Sequence, residues 1–118
     1  ASGFSWKFIH STASSTLSHA IGSVVVNASS LVTIGVWVYV TNVSNKTAKL
    51  KLIRNTELGM SADVIADSSS GVSNNTWTKL QATFTPNAAG IVELELISTS
   101  TSSTTDYVYF DDMEVAQA

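Results

Sequence analysis

Aromatic residues occupy alternate positions in two segments of this sequence. Trp37 and Tyr39 alternate with valine, and so do Tyr107 and Tyr109 near the C-terminus. Side chains two residues apart on a strand point to the same face. Flat rings arranged in this way can stack on the C–H faces of sugars, while polar neighbours hold the hydroxyl groups. Each pair is therefore a candidate part of a ligand-binding face, although an exposed aromatic face is also typical of a contact between subunits.

Two adjacent aspartates follow the second aromatic segment, at a point where the alternation changes phase. Val108 and Phe110 have one parity, whereas Met113 and Val115 have the other. All four apolar side chains can face one core only if an extra residue lies between them, so we predict a β-bulge at Asp111–Asp112. A bulge changes the direction of side chains. This pair is therefore the most interesting acidic site in the sequence.

Few residues could catalyse a reaction. The sequence has no cysteine, and its two histidines, His10 and His19, lie in or beside a Ser/Thr-rich segment without a local metal-ligand motif. No nucleophile elbow is present. Glu93 and Glu95 would lie about 7 Å apart on one strand face, but a glycosidase pair needs one buried acid. Two lysines and solvent are expected beside these glutamates, so we expect no enzymatic activity.

Composition limits the class of protein and its partners. With 118 residues, the chain is long enough for one domain, which we place at residues 1–118. Six Lys and Arg residues and a net charge of −3 give no basic patch, so nucleic acid is not an expected partner. No apolar run is long enough to span a membrane. Ser and Thr account for 33 residues, a content that favours strands and turns over helices.

Apolar and polar side chains alternate along most of the chain, as in strands that face a core on one side. No helix is predicted, and the Ser/Thr-rich segments before Ile21 and at Ser98–Thr105 are expected to be loops. We assign Trp6 and Trp77 to the core or to one end of the domain. Eight strands are expected, a number typical of a sandwich or barrel: Phe4–Phe8, Ile21–Asn27, Leu31–Asn42, Thr47–Arg54, Leu58–Ala66, Trp77–Thr85, Ile91–Ser98 and Tyr107–Val115.

Several of these segments together resemble a known family. They are Leu31–Val40, the sequence from Trp77 to Leu80 followed by Phe84–Pro86, Val92–Leu96 and Tyr109–Val115. The pattern is similar to that of jelly-roll carbohydrate-binding modules of the family 4/9 and family 22 type, and related modules are found in phage virion proteins. The resemblance extends from about Gly3 to Val115.

The resemblance implies an all-β jelly-roll β-sandwich of two antiparallel sheets. One sheet would contain the first, eighth, third and sixth strands, and the other would contain the second, seventh, fourth and fifth. These modules usually begin with an additional strand, which we expect to be missing here. The outer face of the second sheet would carry a charge ladder of Lys49 and Lys51 against Glu93 and Glu95.

The resemblance also implies functions and partners. The first hypothesis is a non-catalytic carbohydrate-binding module that attaches a host protein or particle to a glycan. The alternative is a structural module of a virion, such as a capsid decoration, fibre or tail accessory domain, that contacts neighbouring subunits. Either module would act outside the cell or on a virion surface. In the family a structural calcium ion often lies beside an acidic strand that Asp111 matches, and calcium requires six to eight oxygen ligands.

Overall fold

The computed structural model describes residues 5–12, 14–69, 71–102 and 105–118. Phe4, which we placed at the start of the first strand, lies outside these residues. Within the described ranges, no helix is long and apolar enough to cross a bilayer.

The described residues form eight strands and one short 3₁₀ helix, which lies between the fourth and fifth strands at Thr56–Leu58. The strands are β1 (Ser5–Ile9), β2 (Ser15–Val26), β3 (Val32–Val40), β4 (Lys46–Leu52), β5 (Val64–Asp67), β6 (Thr78–Phe84), β7 (Gly90–Ser100) and β8 (Tyr107–Gln117).

The strands form two antiparallel sheets, with the orders β1-β8-β3-β6 and β2-β7-β4-β5. This arrangement confirms the predicted jelly-roll sandwich and the predicted order of strands in both sheets. Alternation decides which side chains lie between the sheets. Val36 and Leu94, one from each sheet, are 0% and 4% exposed.

One apolar core lies between the two sheets. Most inward positions of β3, β4 and β7 carry an aliphatic side chain, and Phe8 packs edge-on against Phe110 with ring centroids 5.3 Å apart. Trp6 packs against this core, as predicted. The buried hydrophobic residues are Phe8, Val26, Val32, Ile34, Val36, Val38, Val40, Ala48, Leu50, Leu52, Leu58, Met60, Leu80, Ala82, Val92, Leu94, Leu96, Val108 and Phe110.

The bulge in β8 is present where the change of phase predicted it. Gly35 of β3 pairs with Glu114, but Trp37 pairs with Asp111, so two residues of β8 face one residue of β3. Asp112 has a φ of 51°, in the left-handed region that aspartate tolerates better than most residues. The extra residue allows Met113 to pack against the core, but Val115, which was also expected to face the core, is 47% exposed.

Two predicted loops are wrong in part, because strands extend into the Ser/Thr-rich segments; residues 103 and 104 of the second predicted loop lie outside the described residues. β2 begins at Ser15 and β7 continues to Ser100, and these two residues pair with each other. Ser98 is fully buried and its hydroxyl lies 2.9 Å from Nε2 of His10. A buried hydroxyl is tolerated when it is hydrogen-bonded, so serine can occupy an inward position of a strand.

The predicted strand Leu58–Ala66 is also wrong in its first half. Asn55 accepts a hydrogen bond from the Glu57 backbone N–H and begins the 3₁₀ helix. Gly59 ends that helix with a φ of 81°, and a Cβ there would clash with the Asn87 side chain. The chain therefore turns at this glycine, and β5 begins only at Val64.

The charge ladder on the second sheet forms only in part. Lys51 lies 3.8 Å from Glu95 and 3.5 Å from Asp63. Lys49, however, pairs with Ile97 on one side and with Asp67 on the other. In the register of β4 and β7, Lys51 therefore lies opposite Glu95, whereas Lys49 has no glutamate opposite it.

Candidate functional site

The outer face of the β1-β8-β3-β6 sheet carries a group of aromatic side chains. Tyr39 and Tyr109 pair across β3 and β8, with ring centroids 6.2 Å apart. Trp77 lies 5.3 Å from the Tyr39 ring and 6.3 Å from the Tyr109 ring. With Trp37, which precedes Tyr39 on the same strand face, and Tyr107, these rings form what we name the aromatic face.

Lys7 covers one end of the aromatic face. Tyr107 and Tyr109 lie 5.2 Å apart in an edge-to-face arrangement. The Lys7 ammonium lies 4.3 Å from the Tyr107 ring centroid and 5.2 Å from that of Tyr109. At such distances a cation is attracted to the negative face of an aromatic ring. The ammonium is therefore directed over the two tyrosines.

Trp77 was missed by the sequence interpretation, which placed it in the core or at one end. The structure places this indole on the aromatic face, where it is 44% exposed. The residue directly precedes β6 and has the same parity as Lys79, which the alternation directs outward. The same alternation could therefore have predicted its orientation.

The loop before Trp77 is fixed by hydrogen bonds to the end of β3 and the turn that follows. The Asn75 backbone N–H donates to the Val40 carbonyl over 2.8 Å, and Asn75 accepts a hydrogen bond from the Tyr39 hydroxyl over 3.3 Å. Asn74 accepts one from the Val43 backbone N–H over 2.7 Å. These bonds hold the indole of Trp77 against Tyr39.

A cleft of about 290 Å³ opens between the two indoles. Trp37, Trp77, Asp111 and Asp112 line it, and we name it the tryptophan cleft. Asp111 lies opposite Trp37 in the register, and its carboxylate accepts a hydrogen bond from the Asp112 backbone N–H over 2.8 Å. Because the bulge adds a residue here, two consecutive carboxylates line one cleft, although consecutive strand residues normally face opposite sides.

An ion pair lies beside the tryptophan cleft. Lys79 pairs with Trp37 in the sheet, and its ammonium lies 2.5 Å from Oε2 of Glu114. The lysine side chain passes over Gly35, where a Cβ would lie 2.8 Å from Lys79 Cε. The glycine therefore leaves room for the lysine to reach Glu114.

Asp111 was also the predicted calcium ligand. Among the described residues, no group of three or more Asp, Glu and His side chains is arranged to hold a metal ion. The calcium site stays a prediction from the family resemblance.

One end of the sandwich holds a buried polar group, here named the polar end. His10 is buried, and its Nδ1 and Nε2 lie 2.7 Å and 2.9 Å from the hydroxyls of Ser15 and Ser98. Burial lowers the pKa of His10, and the positive charge of Lys46 lowers it further. His19, in contrast, is exposed on β2. The two histidines therefore have unlike surroundings.

Lys46 and Asp106 complete the polar end. The buried Lys46 ammonium donates hydrogen bonds to the Asn45 side chain and to the Ser102 carbonyl, over 3.0 Å and 3.1 Å. Asp106 accepts hydrogen bonds from Asn45 and from Thr41, and these bonds lower its pKa, with the bond from Asn45 as the largest cause. The hydrogen bonds of Lys46 and Asp106 therefore connect the loops at this end of the sandwich.

The fold is similar to that of a solved structure described as "Family 16 Carbohydrate Binding Module-2". The TM-score is 0.56 at 14% sequence identity, and the alignment covers 95% of this chain and 75% of that chain. No protein-family model and no curated protein matches the sequence. At this identity the likeness establishes the fold, in agreement with the predicted resemblance to a carbohydrate-binding jelly roll. The family 4/9 and family 22 type and the relation to phage proteins stay predictions.

Proposed function

We propose that this chain is a non-catalytic carbohydrate-binding module whose ligand lies on the aromatic face. One observation carries the proposal: two indoles and two carboxylates line one open cleft, next to three tyrosines whose rings are in contact. The similarity in fold to a carbohydrate-binding module supports it. Such a module would hold a host protein or particle on a glycan outside the cell or on a virion surface.

The two kinds of side chain would have separate tasks. The rings would cover the C–H faces of sugar units, which are apolar, and each buried ring face contributes through the water that it releases. The carboxylates of Asp111 and Asp112 are strong hydrogen-bond acceptors, so they would fix the hydroxyls of the unit in the tryptophan cleft. Tyr39 and Tyr109, followed by Tyr107, extend the surface for adjoining units.

Binding to a glycan array, followed by titration of each ligand found, tests this proposal. The native chain is expected to bind at least one oligosaccharide, and Trp37→Ala is expected to weaken that binding. Ile65→Ala is the matched control, because Ile65 is an exposed apolar residue on the outer face of the other sheet. The absence of binding to any glycan, or equal affinity of Trp37→Ala and native protein, would contradict the proposal.

A second candidate function is assembly with neighbouring subunits, as in a virion. The observation that favours it is an apolar cleft of about 460 Å³ between the two sheets, where β1 and β2 are the edge strands. Trp6, Ile21, Met113 and the half-exposed Val115 contribute to its lining. Apolar clefts beside strand edges are surfaces on which another chain can add a strand. Sedimentation that shows a monomer at every concentration would contradict this candidate.

A further inference from the structure

The aromatic face carries opposite charges in two neighbouring rows of residues. Lys7, Tyr109 and Tyr39 occupy paired positions of β1, β8 and β3, so they form one row across the sheet. Asp111 and Trp37 pair in the next row, because each lies two residues along its strand from a tyrosine of the first row. The face therefore changes from a cation beside tyrosines to a carboxylate beside an indole over one step along the strands.

The Lys7 side chain leans away from that carboxylate. Its ammonium lies 4.3 Å from the Tyr107 ring centroid and 5.2 Å from that of Tyr109. On β8, Tyr107 and Asp111 lie on opposite sides of Tyr109, so the ammonium is nearest to the ring that is farther from the carboxylate. We name Lys7, Tyr107 and Tyr109 the lysine end. The two rings hold the ammonium over the face, and a group already held in place loses less entropy when a ligand binds.

The ring contacts leave N–H groups of Lys7 available to an anion. An ammonium group has three N–H donors, and the rings lie on one side of it. Within the described ranges, no carboxylate forms an ion pair with Lys7, and the residues outside those ranges include neither aspartate nor glutamate. Asp106, which directly precedes Tyr107, accepts hydrogen bonds from Asn45 and Thr41. The Lys7 charge is therefore free to meet a negative group of a ligand.

We propose that the lysine end binds a negatively charged sugar unit, a uronic acid or a sulfated sugar, and so selects acidic glycans over neutral ones. This inference rests on the proposed carbohydrate-binding function and names a ligand class for the same face. The carboxylate or sulfate would accept hydrogen bonds from the Lys7 ammonium, while neutral units stack on Tyr39 and Trp77. Asp111 would repel a second acidic unit, so one charged unit would also fix the direction in which the glycan lies.

The overall charge of the protein does not favour such a ligand. The net charge of the chain is −3 at neutral pH, and a protein of net negative charge repels an anion at long range. A preference for acidic glycans therefore requires a local cation on the binding face, and the lysine end provides one.

Tetrasaccharides that differ by one charged group test the inference. β-1,4-linked tetramers of glucose and of galactose are prepared in three forms: C6 of the non-reducing unit carries a hydroxyl, is oxidised to a carboxylate, or carries a sulfate ester. Dissociation constants are measured by calorimetry or NMR titration. At low salt, the better acidic form of at least one sugar should bind about fivefold more tightly than its neutral form, from one exposed ion pair. At about 1 M salt this preference should largely disappear.

Three variants separate the lysine end from the overall charge of the protein. Lys7→Gln removes the ammonium from an exposed position of β1 and should bind acidic and neutral tetramers with similar affinity. Lys7→Arg keeps the positive charge and should retain most of the preference. Lys49→Gln is the matched control, because it makes the same change of charge on the other sheet, where Lys49 pairs with Ile97. This control should keep the native preference.

The outcomes separate this inference from the proposed function. Equal binding of acidic and neutral tetramers by the native protein would overturn the inference and leave the proposed function in place. A preference for acidic tetramers that persists in Lys7→Gln would also overturn it. If glycans on the array bind but no tetramer does, a set of bound glycans without uronic acids or sulfates overturns the inference. If no glycan of any kind binds, the proposed function itself fails.

Discussion

The two outer faces of this sandwich share one backbone architecture but differ in their side chains. The face of β1-β8-β3-β6 carries contacting rings and a cleft with two indoles, whereas the face of β2-β7-β4-β5 carries Lys51 between Asp63 and Glu95. Both faces follow the same alternation with a shared core behind them. The difference shows that the same backbone architecture can carry an aromatic or a charged surface, and that local features such as the Asp111–Asp112 bulge decide which side chains meet on it.

The largest expected effect tests whether the two faces depend on the same core. Phe110→Ala removes a fully buried ring behind the aromatic face, and Leu50→Ala removes a fully buried side chain behind the charged face. We expect losses in the free energy of unfolding of about 3–5 kcal/mol for the first and about 2–5 kcal/mol for the second. Chemical denaturation should show a single transition for each variant. A second transition confined to one sheet would contradict the shared core.

The next prediction compares equivalent apolar truncations on the two faces. Trp77→Ala should weaken binding of the glycan identified on the array by about 2 kcal/mol, or about thirtyfold, because the ring loses the apolar area that the sugar covers. Ile65→Ala should leave the dissociation constant unchanged. Titration of both variants checks this, with their melting temperatures as a control for folding. Equal effects of the two substitutions would remove the functional distinction between the faces.

The third prediction concerns the pH dependence of the free energy of unfolding. It depends on His10, which is buried and lies on neither outer face. Because the folded-state pKa of His10 lies below the unfolded value of 6.5, its contribution to stability is complete above that value and is lost as the pH falls. Between about pH 7 and about pH 5, the native protein should therefore lose more unfolding free energy than His10→Gln, which has no ionisable group there.

Denaturation at several pH values measures this difference. Asp63, Asp67 and Asp106 have pKa values lowered from 3.8, so their own contributions are lost at more acidic pH. Parallel curves for native protein and His10→Gln from neutral to mildly acidic pH would contradict the assignment to His10.

The smallest effect is expected on the charged face. Lys51→Met removes two partly exposed ion pairs, and such pairs contribute between about 0 and 1 kcal/mol each. The melting temperature should change little, and the affinity for glycan should not change. A loss of glycan binding in Lys51→Met would indicate that the ligand lies on this face instead.

Much of the fold could be predicted because alternation is a local property. The strand parity of Val36 and Leu94 and the bulge at Asp111–Asp112 follow from the order of apolar residues alone. The resemblance to jelly rolls then supplied the order of strands in both sheets. The errors fall where local preference is ambiguous. Serine suits both loops and strands, so the extension of β2 and β7 through the Ser/Thr-rich segments depended on pairing between distant strands.

The candidate site could be predicted only in part. Sequence spacing identified Trp37, Tyr39, Tyr107 and Tyr109 as outward-facing, and the structure places them on one sheet face. The alternation also directs Trp77 outward, but the contact of its indole with Tyr39 depended on hydrogen bonds between its loop and the end of β3. Such contacts join segments far apart in sequence, and a periodic pattern contains no information about them.

The amino-acid order by itself determined most of the strands, the inward sides of their core residues and the place of the bulge, since each follows from interactions between near neighbours along the chain. Tertiary structure alone decided that two indoles from β3 and the loop before β6 meet two aspartates from β8 in one cleft. It also decided that the Lys79 ammonium contacts the Glu114 carboxylate. The register between strands controls both arrangements, and register depends on the packing of the whole core.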